Sequence, residues 1–394
     1  MNRYLTEKRK DFCCGCNACA EKCPTQCIQM KIDSEGFSYP EIIDINNCVN
    51  CDICAKVCPL EQVETSSNTE LNAVAGYSLN DDILIKSSSG GIFTEISKVF
   101  LENEGVVFGA ALDENNKLFH IPVESFENIY KLQGSKYIQS NINGVFSSCK
   151  KELESGKKVL FTGTPCQISA LNKFLNKQYD NLYTVDVICH GVPSQKIFDA
   201  YVEYLENKHQ AQLVDISFRD KKKNGWSITL RYTMKYKNGN TKDYYLISPM
   251  SEYFTGFLGG YISRESCYQC PYSSLNRPSD ITMGDFWGYQ KTRPELVNNK
   301  GLSILLINTE KGKELFNILK NKGLFFSEVT ENSIRMSENK NLYKPTVRPK
   351  ERDDIYLEFN KYGFEYIAKK YLQKYFTFRN KIKNTVPKKY WKYL

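Results

Sequence analysis

One cysteine spacing occurs twice near the start of this chain and constrains its fold more than any other feature. The segments "CCGCNACAEKCP" from Cys13 and "CVNCDICAKVCP" from Cys48 both contain C-x2-C-x2-C-x3-C-P. A 4Fe–4S cluster needs four thiolates around a compact core. This spacing supplies three of them from one tight loop, and the fourth cysteine of each run ligates the other cluster. The pattern therefore predicts a small domain that holds two such clusters.

The crossed pairing assigns four cysteines to each cluster. The first set is Cys13, Cys16, Cys19 and Cys58. The second set is Cys48, Cys51, Cys54 and Cys23. A pair of zinc sites is the alternative, but zinc sites typically use two C-x2-C pairs with a long gap between them. Two short strands are expected between the runs, in a domain spanning residues 1–62, and a polar linker is expected over 63–71.

Whether the remaining cysteines form disulfides or bind metal depends on the compartment in which the protein folds. The chain has 15 cysteines in 394 residues, and its start lacks the apolar segment of a secretory signal. No apolar run approaches the roughly 18 residues of a membrane span. We therefore expect a cytoplasmic protein whose cysteines bind metal or do redox chemistry rather than form disulfides. Cys27 and Cys149 fit core positions, and the pattern gives Cys14 no role.

The middle of the chain alternates strand and helix patterns. Residues 72–325 predict an α/β domain with a mixed sheet. The whole chain is thus expected to be an α+β ferredoxin-like two-cluster module, then this α/β domain, then a helical extension over 326–394. The sequence lacks G-x-G-x-x-G after the first strand, which argues against a dinucleotide site of the Rossmann type.

Four cysteines in this domain lie at positions suited to a shared site. Cys166 and Cys189 follow predicted strands, where ligands collect in α/β sheets, and Cys267 and Cys270 form a C-x2-C pair in a loop. Four thiolates suit a third 4Fe–4S cluster. The residues leave three alternatives open, namely a zinc site, a catalytic Cys166 thiolate with His190 as its base, and inert core cysteines.

Five motifs occur in order along the chain and together resemble one family. They are "KSSSGGIFTEIS", "GSKYIQS", "FTGTPCQISAL", "VICHGVPS" and "CYQCPYSSLNRPSDITMGDFWG". The set resembles the beta subunits of coenzyme F420 (8-hydroxy-5-deazaflavin) hydrogenase/dehydrogenase, in the bacterial form with an N-terminal two-cluster ferredoxin domain. The 7-hydroxymethyl chlorophyll a reductases belong to the same family. The resemblance covers about residues 1–320.

The resemblance implies an iron–sulfur flavoprotein. It implies a 4Fe–4S cluster on Cys166, Cys189, Cys267 and Cys270, and a bound flavin, FAD with FMN as the alternative. Clusters pass one electron at a time, whereas many metabolites accept electrons only in pairs, and a flavin converts between the two. We therefore expect an oxidoreductase that passes electrons between clusters and a two-electron acceptor. The acceptor need not be a deazaflavin.

The same motifs supply candidate flavin contacts. Lys86, Ser88, Ser89, Gly90 and Gly91 stand where a helix begins, and helix N-termini bind phosphate; an ordinary helix cap is the alternative. The remaining candidates for cofactor binding are Ser135, Lys136, Tyr137, Gln139, Ser140, Thr164, Gln167 and Asp285. A solvated loop is the alternative for the 135–140 segment, and Trp287 fits the core as well as the site. Lys136, His190 and Asp285 are the candidates for a catalytic role.

The C-terminal extension is basic and aromatic. The last 26 residues carry nine Lys/Arg and no Asp/Glu, so the formal net charge of +8 belongs to this tail. Contact with an anionic membrane surface or with a protein is one expectation, and docking on the body is the other; nucleic acid is not expected. A ferredoxin or another oxidoreductase subunit is the expected redox partner. Two other functions remain open: an electron-transfer subunit without its own substrate, and a binding protein with structural zinc.

Overall fold

The computed structural model describes residues 5, 9–61, 63, 65, 71–296, 299–386, 388 and 391. The strands are β1 (Ile28–Ile32), β2 (Ser38–Ile42), β3 (Ala73–Ser78), β4 (Val106–Leu112), β5 (Leu118–Val123), β6 (Val159–Gly163), β7 (Leu182–Val187), β8 (Gln212–Ser217), β9 (Thr229–Lys235), β10 (Thr241–Ile247), β11 (Ile281–Asp285), β12 (Ser303–Ile307) and β13 (Leu324–Glu328).

The α-helices are α1 (Ala18–Lys22), α2 (Ile53–Lys56), α3 (Asp81–Lys86), α4 (Ile92–Leu101), α5 (Val145–Glu154), α6 (Pro165–Leu175), α7 (Gln195–His209), α8 (Glu252–Leu258), α9 (Glu310–Leu319), α10 (Glu331–Met336), α11 (Arg352–Tyr362), α12 (Phe364–Ile367) and α13 (Phe378–Thr385). A π-helical turn, Ala368–Leu372, continues α12. None of the described helices is long and apolar enough to cross a membrane.

An eight-stranded mixed sheet forms the body of the protein. Its strand order is β13-β3-β12-β11-β7-β6-β4-β5, and the four strands β11, β7, β6 and β4 are parallel. Alternate side chains face opposite helical layers, as a pleated strand requires. Phe161 packs toward α5 and α6, whereas its neighbour Leu160 packs toward α4 and α9. The mixed α/β sheet predicted from the sequence is therefore confirmed.

A second core forms around a smaller sheet. The strands β8, β9 and β10 make a three-stranded antiparallel sheet, and α7 packs its buried Ile197, Phe198 and Tyr201 into the same cluster. The C-terminal extension joins this core through α11 and α12, which contribute Tyr356 and Phe364 among other residues. The extension thus docks on the body, at least as far as the π-helical turn.

The ferredoxin-like module packs against the body at two places. Ala18 and Val57 enter the cluster that surrounds α5 and α6, and Phe37 enters the cluster around α7 and α11. Glu21 accepts hydrogen bonds from the backbone N–H groups of Gly144 and Ser147, at the start of α5. Burial of apolar side chains and these hydrogen bonds hold the module against the larger sheet.

Several predicted boundaries differ from the structure. The predicted domain limit at residue 325 falls inside β13, which pairs with β3, because an edge strand completes the sheet there. Within the predicted α/β domain, the segments "VDISFRD" and "WSITLRYTMKY" form β8 and β9 of the separate small sheet, where they pair with each other and β9 also pairs with β10. The predicted linker, residues 63–71, lies mostly outside the described residues.

Candidate functional site

Two cavities in the ferredoxin-like module have cysteine linings that match the predicted pairing. Cys23, Cys48, Cys51 and Cys54 line one cavity, together with Cys27. Cys13, Cys16, Cys19 and Cys58 line the other, together with Cys14 and Cys54. Each cavity therefore receives three cysteines from one run and the fourth from the other, which is the donor arrangement that 4Fe–4S clusters require.

The two runs have the same backbone shape. We call residues 13–24 the first cluster loop and residues 48–59 the second cluster loop. Asn17 and Asp52, at equivalent positions, adopt left-handed conformations and start the short helices α1 and α2. Gly15 and Asn50 are also equivalent, and both have positive φ. These turns bring three thiols of each run to one side.

The four cysteines of the body come together at the carboxyl edge of the large sheet. Cys166 lies in the first turn of α6 after β6, Cys189 follows β7, and the other two lie at a 3-10 helix over Glu265–Gln269. Electrostatic contact among the thiols contributes to their pKa values. Burial raises the pKa of Cys189 to about 12 and that of Cys270 to about 11. A metal that replaces the thiol protons removes this cost.

The structure bears on one alternative reading of these four cysteines. Among the described residues, no three His, Cys, Asp or Glu side chains are grouped so as to hold a single metal ion, here or in the ferredoxin-like module. Catalysis by a Cys166 thiolate with His190 lacks its hydrogen bond, because the His190 ring nitrogens contact the Asn341 side chain and the Leu258 carbonyl oxygen. A hydrogen bond with Cys14 and burial raise the pKa of Cys166.

Cys14, which the sequence left without a role, lies between the two parts of the protein. Its thiol interacts with those of Cys16 and Cys166, and these interactions affect its pKa, which burial also raises. Cys16 belongs to the first cluster loop and Cys166 to the body. The first cluster loop therefore meets the body cysteines directly. Cys27 and Cys149 are buried in apolar clusters, as expected.

A polar site lies beside these cysteines, around a buried arginine. The Arg219 guanidinium donates to both carboxylate oxygens of Asp285, at 2.7 and 3.0 Å, and to the Tyr137 hydroxyl at 3.1 Å. Trp226 donates its indole N–H to Asp285 at 2.8 Å and stacks on Trp287 at 4.1 Å between ring centroids. Asp285 ends β11, next to the strand that leads to Cys189.

Three lysines in or near these motifs donate to backbone carbonyl oxygens, and two of them, Lys221 and Lys388, have electrostatic contact with Arg219. Lys221 donates to those of Leu84 and Ser89, and Lys136 donates to those of Lys131 and Gln133. Desolvation lowers the pKa of both lysines to about 7. Lys388, in the C-terminal tail, donates to the Trp226 carbonyl oxygen, and burial and Arg219 lower its pKa. The site is rich in cations and therefore suits an anionic ligand.

The predicted phosphate loop contacts this site through Ser88 and through the Ser89 carbonyl oxygen, which accepts from Lys221. Ser88 accepts from the Ser135 N–H, and its carbonyl oxygen accepts from Arg219. Gly90, by contrast, donates its N–H to the Ser303 side chain, and an added Cβ there would lie 2.4 Å from the Gly76 carbonyl oxygen.

The rest of the phosphate loop serves packing. Gly91 is the buried left-handed cap of α4, with a φ of 81°. Lys86 is exposed at the end of α3. The Ser89 hydroxyl donates to the Leu302 carbonyl oxygen.

A hydrogen-bonded chain links three predicted residues to the body cysteines. The Thr164 hydroxyl contacts the Cys166 sulfur at 3.2 Å and donates to the Gln167 side chain, which in turn donates to Ser140. Ser140 contacts Nδ1 of His120, and the other ring nitrogen of His120 contacts the Thr162 carbonyl oxygen. Burial lowers the pKa of His120 to about 4, so that this imidazole is neutral at physiological pH.

Gln139 lies apart from the other residues of its motif. Its side chain donates to the Cys14 carbonyl oxygen at 2.8 Å and accepts from Arg264 at 3.1 Å. It therefore contacts the first cluster loop rather than the polar site around Arg219. The remaining residues form what we call the ring site, which consists of Ser88, Ser135, Lys136, Tyr137, Arg219, Lys221, Trp226, Asp285, Trp287 and Lys388.

Several residues of these sites could not be predicted from the sequence. Arg219, Lys221 and Trp226 come from one segment, "FRDKKKNGW", whose only signal was its density of basic residues beside a tryptophan. His120 lies in a strand and Arg264 precedes the C-x2-C loop. Nothing in the local pattern marks either of them, because their roles depend on contacts with distant segments.

Two family models match separate parts of this chain. Residues 156–332 match the C-terminal family of the coenzyme F420 hydrogenase/dehydrogenase beta subunit, and residues 12–61 match the 4Fe-4S dicluster domain. A coenzyme F420-dependent sulfite reductase from Methanocaldococcus jannaschii is 26% identical over 293 residues, which cover 70% of this chain and 41% of that protein. The chain thus spans about two fifths of the length of this curated relative.

A solved structure is also similar. A chain of the xenon-derivatised F420-reducing NiFe hydrogenase complex from Methanosarcina barkeri aligns with a TM-score of 0.45 and 18% identity, over 73% of this chain and 90% of that one. The family matches and the 4Fe–4S domain define an iron–sulfur oxidoreductase of the electron-transfer type, related to F420-dependent enzymes. These matches confirm the resemblance of the sequence motifs to the coenzyme F420 hydrogenase/dehydrogenase beta subunit family, over its C-terminal region, and to the 4Fe-4S dicluster domain.

Proposed function

We propose that this protein passes electrons between three 4Fe–4S clusters and a ring cofactor of the flavin type held at the ring site. The two ferredoxin-type clusters use the two sets of the cluster loops, and the third uses Cys166, Cys189, Cys267 and Cys270. The observation that carries the proposal is the meeting of three separate motifs at Arg219. Ser88, Tyr137 and Asp285 each come from a different motif, and all three contact this guanidinium.

The position of the ring site supports transfer to the body cluster. Asp285 ends β11, and Cys166 and Cys189 follow the next two strands of the same parallel set. Ligands at the carboxyl ends of parallel strands lie close together. A ring held beside Asp285 is therefore adjacent to the third set of cysteines. The basic side chains at the site outnumber its one carboxylate, Asp285, and this favours a cofactor with an anionic phosphate. FAD, FMN and deazaflavin F420 all carry phosphate.

The proposed reaction uses two ring cofactors, one as the substrate and one as the resident group. The family and the sulfite reductase relative are both named for F420, which supports F420 as the two-electron partner. A bound flavin would supply the conversion between the pairs of electrons carried by F420 and the single electrons carried by clusters. We therefore keep FAD as the proposed resident group and F420 as its substrate. Lys136 would stabilise negative charge on a bound ring, and Asp285 would hold Arg219 and Trp226 in place.

A second candidate function follows from the length of the relative. Because this chain spans 41% of the sulfite reductase, the site that finally consumes the electrons can belong to another protein. In that case the chain is an electron-transfer subunit, and its partner is another oxidoreductase subunit. The two candidates differ in one result: turnover of F420 with an artificial one-electron acceptor, such as a viologen, requires no partner only if the chain itself carries the hydride step.

The first test is the iron, zinc and flavin content per chain after anaerobic purification, followed by anaerobic incubation with F420 and a viologen. We expect about twelve irons, from three four-iron clusters, one flavin, and F420-dependent viologen reduction. About eight irons with one zinc and no flavin would overturn the body site.

Asp285→Asn tests the ring site itself. We expect this variant to lose the flavin and F420 turnover while it keeps its iron. Because a buried arginine without its partner destabilises a protein, Lys136→Gln serves as a milder second variant. Asp215→Asn is the matched control, since Asp215 pairs with Arg231 on the small sheet, away from the ring site. Full flavin content and turnover in both ring-site variants would contradict the assignment.

A further inference from the structure

Arg264 is a fully buried arginine at the junction between the first cluster loop and the body. Its guanidinium donates to the Cys13 carbonyl oxygen at 2.6 Å, to the Ser38 carbonyl oxygen at 2.8 Å, and to the Gln139 side chain at 3.1 Å. It also lies over the Tyr39 ring at 4.2 Å. These contacts account for the geometry of the guanidinium, but none of them neutralises its charge.

The other fully buried arginines each contact a carboxylate. Arg277 pairs with Asp186 at 2.8 Å, and Arg352 pairs with Glu35 at 2.6 Å. Among the described residues, no carboxylate lies within ion-pair distance of Arg264. A buried charge needs an opposite charge nearby, because the loss of hydration is otherwise too costly. Something else must therefore act as its counter-ion.

Arg264 instead lies beside cysteines that are predicted cluster ligands. The terminal nitrogen of Arg264 that donates to Ser38 also lies 3.7 Å from Cys13 Sγ. The backbone N–H of Cys267 donates to the Arg264 carbonyl oxygen at 3.0 Å. Cys13 belongs to the first cluster loop and Cys267 to the body. Arg264 thus lies between the ligand sets of two clusters.

We propose that Arg264 is the counter-ion of the cluster held by the first cluster loop and raises its reduction potential. This inference rests on the proposed cluster assignment. A positive charge and a hydrogen bond to a ligand sulfur both favour the reduced cluster, which carries one more negative charge. Arg264 is therefore a positioning residue that makes this cluster a better electron acceptor, at the point where electrons pass between the body and the module.

Gly15 supports the same role from the opposite side of the contact. It has a φ of +67°, and an added Cβ would lie 2.7 Å from a terminal nitrogen of Arg264 and 3.0 Å from Nε2 of Gln139. The equivalent position in the second cluster loop is Asn50, which also has a positive φ. The loop that meets Arg264 thus has glycine where a side chain would exclude the guanidinium.

The test is a redox titration of the full chain monitored by electron paramagnetic resonance. In Arg264→Gln, we expect the ratio of reduced to oxidised first-loop cluster, at a fixed ambient potential, to fall about tenfold. This corresponds to about 59 mV for a one-electron couple. Arg264→Lys keeps the positive charge but loses the planar guanidinium. Its ratio of reduced to oxidised cluster should therefore lie between those of the wild type and Arg264→Gln. Cys166→Ala, which lacks the body cluster, assigns the shifted signal in a second titration.

Arg352→Gln is the matched control. It removes a buried interface arginine and its ion pair with Glu35, but Arg352 contacts no cluster cysteine, so all potentials should stay unchanged. Gln139→Glu is the second test variant, because it places a carboxylate beside Arg264 without removing it. We expect the new carboxylate to lower the same potential.

The outcomes separate this inference from the proposed function. Wild-type protein without clusters would overturn the proposed function. Clusters with unchanged potentials in both Arg264→Gln and Gln139→Glu would overturn only the role of Arg264. If Arg264→Gln loses iron, the Gln139→Glu titration decides, and an unshifted potential there rejects the inference.

Discussion

The two cluster loops have one spacing and one backbone shape, yet they occupy opposite environments. The first cluster loop lies against the body, where Cys14 contacts Cys166 and Gly15 admits Arg264. In the second cluster loop the equivalent of Cys14 is Val49, which is 63% exposed, and Cys51 is exposed as well. One repeated motif thus gives two similar ligand sets in different surroundings. The first contacts the body of the protein, and the second faces solvent.

This difference suggests a direction for the electron path. The first cluster loop connects the module to the body cysteines and through them to the ring site. The second cluster loop lies at the surface, where a protein partner would exchange electrons under the proposed function. Because solvent exposure, charge and hydrogen bonds to sulfur set cluster potentials, the two clusters should also differ in potential despite their equal ligands.

The largest effect should come from cutting the inward connection. Cys166→Ala removes a proposed ligand of the body cluster, so we expect about four of the twelve irons to be lost and F420 to stop reducing the ferredoxin-type clusters. Iron analysis and anaerobic absorbance spectra measure both. Cys149→Ala, at a buried cysteine outside the cluster sites, should keep all its iron. Unchanged iron in Cys166→Ala would refute the third cluster.

A swap between the loops should have the next largest effect. Gly15→Asn gives the first cluster loop the residue of the second and forces a side chain against Arg264, so we expect the free energy of unfolding to fall by about 1–3 kcal/mol. Asn50→Gly, in an exposed turn, should change it by about 0.5 kcal/mol or less. Chemical denaturation of the anaerobic proteins measures both, and equal effects of the two substitutions would remove the contrast between the loops.

The pH dependence of cluster reduction should differ between reduction by F420 at the ring site and reduction by a viologen at the second cluster loop. Lys136 and Lys221, with pKa values of about 7, lose their charge as the pH rises above 7, while an anionic ligand binds their protonated forms. Binding should therefore weaken by about tenfold per pH unit for each lysine involved. Reduction by F420 should fall accordingly between pH 7 and 9, whereas reduction by a viologen at the second cluster loop should not.

Lys136→Arg provides the control for this pH dependence. An arginine stays charged over the whole range, so the slope of the affinity against pH should decrease by about one proton. His120 does not interfere, because its pKa of about 4 keeps it neutral throughout. An unaltered slope would mean that Lys136 does not contact the anion.

The smallest effect should be a difference in cluster loss. Mild chelation should remove iron from the exposed second cluster loop first, since Cys51 is exposed while Cys13 is buried. Peptide mapping after alkylation should then find Cys48 and Cys51 labelled several times faster than Cys13 and Cys16. Equal labelling of both loops would show that exposure does not distinguish them.

Sequence patterns predicted the parts of this protein that depend on local spacing. The crossed cysteine sets, the α/β sheet and the burial of Cys27 and Cys149 all follow from short-range patterns. Gln139 shows where such reasoning stops. It shares a motif with Lys136 and Tyr137, but it faces the first cluster loop, because the chain turns between neighbouring residues and the contacts come from Cys14 and Arg264.

The sequence by itself determined that this chain carries two ferredoxin-type ligand sets and the motifs of the F420 hydrogenase/dehydrogenase beta subunit family, since cysteine spacing and motif order are properties of the chain alone. Only the tertiary structure decided which cluster loop faces inward, that Arg219 and Lys221 complete the ring site, and that Arg264 lies between two ligand sets. The physical reason is that a buried charge is balanced by whatever groups the fold brings near it, and those groups are far apart in the sequence.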